Sequence, residues 1–235
     1  MDNEENNNVE NEEVKKESSF DTDELKEETK ETFNKVKDQI KDTDFKEETK
    51  KATNFVKEMC FNPIEAVEEV ASGAEVNLGR TIVLLVALMA ANFVETLFSY
   101  FKWGSFSNLG SKFWGLVLSV TSPLLAIIVP AVLIFLFNTK ARKSLLTVIS
   151  TLVTAKVPVI FVTLLGVVST LISPLRTILS IFTSVLSAVA IVLMYFGMKK
   201  LFEEDNSVFI KKYVLVLLIA QVIFVILSSI NFYSF

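Results

Sequence analysis

Five polar side chains stand inside long apolar runs: Asn92, Glu95, Lys156, Arg176 and Gln221. Ionisable groups in hydrocarbon are expensive, so where they occur they pair, line a pathway or hold a ligand. Opposite charges such as Glu95 and Lys156 can each remove the cost of burying the other. Prolines are a second signal, with Pro123, Pro130, Pro158 and Pro174 in or beside the same runs. A proline removes a helical hydrogen bond, and membrane helices accept one where neighbouring helices or Ser/Thr side chains satisfy the freed carbonyls. All four are expected to kink closely packed helices.

Other chemistries lack their residues. The chain has no histidine and a single cysteine, Cys60, which removes the commonest general base and metal ligand and any intramolecular disulfide. It has no phosphate-cradling glycine loop, no dinucleotide fingerprint and no nucleophile elbow. Its basic residues are not interleaved with aromatics in any polar segment, so nothing supports nucleic-acid binding. The expectation is a non-enzymatic protein with no catalytic residue, cofactor, metal or nucleic-acid partner. The "EED" at 203–205, set between lysine pairs, reads as ordinary loop solubility.

Charge is divided along the chain. Residues 1–80 carry 23 acids and 12 bases, whereas residues 81–235 carry 4 acids and 11 bases. Five apolar tracts fill the second part, at about 81–101, 113–137, 144–168, 175–198 and 213–234. Each has the ~20 residues needed to cross ~30 Å of hydrocarbon. The fold class expected is therefore an all-α integral membrane protein, with five transmembrane helices and a polar, partly helical N-terminal arm. The small residues of "TSVLSAVA" at 183–190 predict close helix approach there.

With five spans the termini face opposite sides. If the N-terminus is inside, the inner flanks hold Arg80, Lys140, Arg142, Lys143, Lys199, Lys200, Lys211 and Lys212, and the outer flanks only Lys102, Lys112 and Arg176. That bias predicts a cytoplasmic N-terminus and an outside C-terminus in the cell membrane. Tyr100, Phe101, Trp103, Phe106, Phe113 and Trp114 around the first outer loop, and Phe232, Tyr233 and Phe235 at the far terminus, are expected interface anchors. The polar opening "MDNEENNNVENEE" predicts no cleavable signal peptide.

Three segments are expected: an arm over 1–60, an interfacial helix and linker over 61–80, and the membrane domain over 81–235. Residues 1–20 are too polar to order themselves. The stretch "DTDELKEETKETFNKVK" at 21–37 is then echoed by "DTDFKEETKKATNFVK" at 42–57, with "KEETK" recurring 20 residues on. Leu25, Phe33, Val36 and Ile40, and again Phe45, Ala52, Val56 and Met59, fall at helical spacing. Glu31–Lys35 and Glu47–Lys51 add i,i+4 support. The stripe is narrow, so the arm is expected to be a removable, partly helical spacer or a docking site for a protein partner. "NPIEAVEEVASG" at 62–73 is a helix signal, with Asn62 as N-cap, Pro63 in the first turn, Glu65 completing a capping box and Gly73 ending it. Ile64, Val67, Val70 and Ala71 would face the membrane interface.

This layout resembles the Yip family of Rab-interacting five-span membrane proteins, in its bacterial branch. The resemblance covers residues 61–235. It rests on the "NPIEAVEEVA" helix before the first span, on five closely spaced spans, and on the proline within "SLLTVISTLVTAKVPVIFVTLL" at the third. The Asp-Leu-aromatic-Gly-Pro signature of eukaryotic members is missing from this chain. The resemblance implies a membrane-organising or trafficking-like scaffold and carries over no catalytic residue. A small permease component using Glu95, Lys156 and Arg176 is the other reading, although the spans have no internal repeat. For Lys156 two placements stay open: a pair with Glu95 inside the bundle, or 144–155 lying along the interface with the lysine snorkelling to headgroups. Counted from Arg80 and Lys143, which flank the two spans, Glu95 and Lys156 fall at similar depth, within about 3 Å at ~1.5 Å per residue.

Overall fold

The computed structural model describes residues 44–74, 76–103, 109–137 and 143–232, with residues 30, 34 and 37 besides. The acidic opening, nearly all of the first repeat copy including Glu31–Lys35, Phe106, Lys140, Arg142, Tyr233 and Phe235 lie outside the described residues. From Phe45 onward the described residues form eight α-helices in order: α1 Phe45–Phe61, α2 Pro63–Ser72, α3 Leu78–Trp103, α4 Leu109–Phe137, α5 Leu145–Ala155, α6 Val157–Leu171, α7 Arg176–Phe202 and α8 Asn206–Phe232. A 3₁₀ turn, Ser173–Leu175, joins α6 to α7. No strand occurs among the described residues.

Among the described residues five stretches are long and apolar enough to cross a membrane: Leu78–Lys102, Lys112–Phe137, Leu145–Leu171 (α5 and α6 together), Arg176–Phe202 and Asn206–Ile223. The expected fold class is the observed one, and the chain is a multi-pass membrane protein. The end of the bundle where α3, α5 and α8 begin is its arm-side end.

The segment before the spans differs from expectation. The arm does not run to residue 60, because the second repeat copy is α1. Asp44 caps it, its Oδ1 accepting from Lys46 N at 2.9 Å and Glu47 N at 3.4 Å. Lys51 bridges Glu47 at 3.0 Å and Glu48 at 2.8 Å. The hydrogen bonds to Glu48 and then Glu47 hold the Lys51 ammonium above its ordinary value. Ala52, Phe55 and Met59 are buried, and α1 packs on α3. Phe45 is exposed and Val56 only half-buried, so the packed face is turned from the predicted one.

The α2 helix is likewise not an interfacial float. Ala66, Val67, Val70 and Ala71 are buried against α5 and α7, whereas Ile64 is exposed. Asn62 makes no side-chain cap hydrogen bond, so the capping box is absent, while Pro63 does stand in the first turn. Gly73 ends the helix at φ +85°, a left-handed conformation glycine adopts without strain. The driving force is apolar area: a narrow stripe suffices when it meets a matching groove.

Of the prolines, Pro123 and Pro130 lie inside the continuous α4. Pro158 opens α6, where the third span breaks at Lys156. Pro174 sits in the 3₁₀ turn and kinks no span. The "TSVLSAVA" stretch is also a correction, since only Ala190 of it is buried. The tight crossing lies further along α7: a Cβ on Gly197 would stand 2.7 Å from Thr151 Cγ2 and 2.8 Å from Val67 Cγ1.

Candidate functional site

The register of α3 against α5 is fixed by one buried contact, Thr81 Oγ1 donating to Ser150 Oγ at 3.0 Å. Lys156 lies six residues beyond Ser150, and Glu95 fourteen beyond Thr81. At ~1.5 Å per residue the two differ in depth by roughly 12 Å. The Glu95 carboxylate agrees with this, since it lies against Gly166, ten residues beyond Lys156 on α6. The expected Glu95–Lys156 pair is therefore not formed. Arg80 and Lys143 do not mark a common level, because α5 begins further toward the arm than α3.

The third span does break at Lys156, as the snorkelling arrangement requires, but the helix before the break does not lie free along an interface. The 145–155 segment is a buried helix, with Thr147, Val148, Ser150, Thr151, Leu152, Val153, Thr154 and Ala155 all enclosed. Lys156 is the junction between α5 and α6, at φ −88° and ψ −2°. Its backbone N–H is bonded to α5 carbonyls, Leu152 O among them at 3.2 Å. Pro158 explains the break, because its ring disfavours continued helix and leaves the Thr154 carbonyl without its usual donor.

The Lys156 side chain lines two cavities. One, of about 220 Å³, lies between α4, α7 and α8, with Val129, Pro130, Met194, Leu217 and Gln221 among its walls. The other, of about 180 Å³, lies between α3, α4 and α6, with Asn92, Ser122, Pro123 and Val159 among its walls. Ala126 is shared by both, and Pro130 deprives its carbonyl of the helical donor one turn on. In the larger cavity Pro130 stands seven residues from the arm-side end of α4, and Gln221 fifteen from that of α8. That is roughly 10–22 Å in at ~1.5 Å per residue, so Lys156 faces the middle of the bundle. Among the described residues its ammonium makes no hydrogen bond or ion pair.

The other candidates are dispersed. Asn92 turns its amide back on its own helix, Nδ2 donating to Leu88 O at 2.9 Å. Gln221 lines the larger cavity yet is exposed on α8. Arg176 is exposed at the start of α7, at the far end of the bundle from Lys143 and Glu203. Glu95, Lys156 and Arg176 thus do not converge.

Charge that does converge sits at the arm-side end, where only loop solubility was expected. Glu204 is nearly buried, and its Oε1 accepts from Lys212 Nζ at 2.6 Å. Lys212 also donates to Phe137 O at 3.0 Å and lies 5.6 Å from the Phe202 ring centre. One lysine so ties the end of α4 to the α7–α8 turn. Glu203 adds a 3.0 Å bridge to Lys143. At the start of α3, the Arg80 guanidinium stacks 3.8 Å from the Phe55 ring centre, a cation–π contact that fastens α1. Acidic residues in a short loop gave no sign of this, because their partners come from other helices. Among the described residues no cluster of His, Cys, Asp or Glu could hold a metal ion.

Set against models of known protein families, curated proteins and solved structures, the chain matches none.

Proposed function

We propose that this multi-pass membrane protein is a non-enzymatic scaffold, membrane-organising or trafficking-like as in the Yip family, with its N-terminal side cytoplasmic and its C-terminus outside. The observation that carries the reading is the α1–α2 layer. Two helices with charged outer faces are fixed by buried apolar contacts to α3, α5 and α7, so an aqueous surface is held at a set position relative to the spans. Glu65 and Glu69 lie on that surface, Glu65 exposed, and suit a basic protein partner. The charge bias of the connecting segments supports the orientation.

The permease reading is favoured by the cavities at Lys156 alone, and its path would have to join that lysine to Glu95 and Arg176. A photo-crosslinking residue at Glu65 separates the two readings. The scaffold predicts one recurrent protein adduct that disappears when Glu68 and Glu69 are changed to lysine. Adducts only to lipid would contradict it. A reporter active solely in the cytoplasm, fused after Phe235, should stay silent; activity would overturn the orientation.

A further inference from the structure

We propose that the larger cavity binds a single-chain fatty acid, its carboxylate accepting from Lys156 Nζ and its acyl chain lying between α4 and α8. The inference requires only that the five helices sit in a bilayer and does not rest on the scaffold reading.

Lys156 is half-buried between helices, and a lysine so placed ordinarily has an anionic partner, because an unpaired charge withdrawn from water is unfavourable. Glu95 is the one acid in the middle of a span, and it is held about three turns away against Gly166, ten residues beyond Lys156. The walls beside the ammonium are apolar: Val129, Pro130, Met194 and Leu217. An anion with an apolar body fits that combination, whereas a free hydrated ion does not. The entrance is lateral. Gln221 is both a wall of the cavity and exposed on α8, near the exposed Leu218 and Val222. The opening is thus continuous with the surface that faces lipid acyl chains. A carboxylate suits the depth better than a phosphate, since it carries one charge and a smaller shell of water to lose.

The test uses the full chain purified in a neutral detergent, with equilibrium binding of radiolabelled oleate. Wild type should bind one oleate saturably, and Lys156→Met should weaken it roughly ten- to hundredfold, the loss expected for one charge-assisted hydrogen bond. Lys156→Arg should retain most of the affinity. Methyl oleate, which lacks the charge, should bind wild type no better than oleate binds Lys156→Met. Should Lys156→Met fail to fold, Ala220→Leu fills the same cavity while keeping the lysine, and should itself block oleate. Equal affinity for oleate and methyl oleate would overturn the proposal, as would an unchanged Ala220→Leu. Competition by acetate as effective as by oleate would reduce the site to a simple anion site and so overturn the acyl assignment. Tighter binding of 1-oleoyl lysophosphatidate than of oleate would replace the carboxylate by a phosphate headgroup and contradict it as well.

Discussion

Phe202 and Phe182 stand twenty residues apart on α7 and occupy different surroundings. Phe202 is fully buried at the arm-side end, its ring 6.0 Å from that of Phe209. Phe182 is 56% exposed, among Ile178, Ile181 and Val185, which are exposed to a similar degree. At the arm-side end α2 packs between α5 and α7, and ion pairs close the turns beside it. The far half is covered by little but its own helices. In hydrocarbon an apolar side chain gains nothing from leaving water, so helices there need only close-fitting contacts. At the water-facing end the hydrophobic effect operates, and α1 and α2 are held by it. Fold-specific packing has therefore collected at the arm-side end.

The largest effect should come from Phe202→Ala. Deleting a fully buried phenylalanine costs about 3–5 kcal/mol, whereas Phe182→Ala should stay within about 0.5 kcal/mol. Thermal unfolding in one detergent compares them, and equal destabilisation would erase the distinction between the halves. Next comes crowding. Gly197→Ala forces a methyl between Thr151 and Val67 and should cost about 1–3 kcal/mol, while Ala188→Leu on the far part of α7 should be near neutral. A neutral Gly197→Ala would show that the α2–α5–α7 crossing is loose.

The spans were legible in the sequence because ~20 apolar residues in a row have few other uses, and the predicted tracts agree closely with the helices. The α1–α2 layer was not, because its partners are distant. Phe55 reads as one apolar residue among charges until the Arg80 side chain is placed over it. The repeat misled in a specific way. It preserves "KEETK", but at the same offset of twenty the positions of Ala52, Phe55 and Met59 are Thr32, Lys35 and Gln39. What repeats in sequence is the charged stretch, while the three residues that α1 buries are not repeated. For Lys156 and Glu95 the relative depth was wrong, since charges flanking a span mark its ends only when the helices begin level.

The smallest effect concerns the Glu203–Lys143 bridge. The hydrogen bond and charge of Lys143, with Lys200 adding to them, hold the Glu203 carboxyl below its ordinary 4.5. A carboxyl lowered in the folded state contributes stability above its unfolded value, and this is lost as pH falls through the folded one. Lys143→Met should therefore lower the melting temperature slightly at neutral pH and leave it unchanged once acid has protonated Glu203. An equal loss under both conditions would assign the effect to something other than this pair.

The central claim is that α2 is seated inside the arm-side end of the bundle, and a cross-link tests it most directly. Val67 and Thr151 both reach Gly197. With Cys60 changed to serine and a protease site inserted between α3 and α4, a short thiol-reactive spacer should join Val67→Cys to Thr151→Cys, so that the two fragments stay together after cleavage. The Ile64→Cys and Thr151→Cys pair, with Ile64 on the exposed face, should come apart. Fragments that separate in the Val67 pair, or that stay joined equally in both, would contradict the placement of α2.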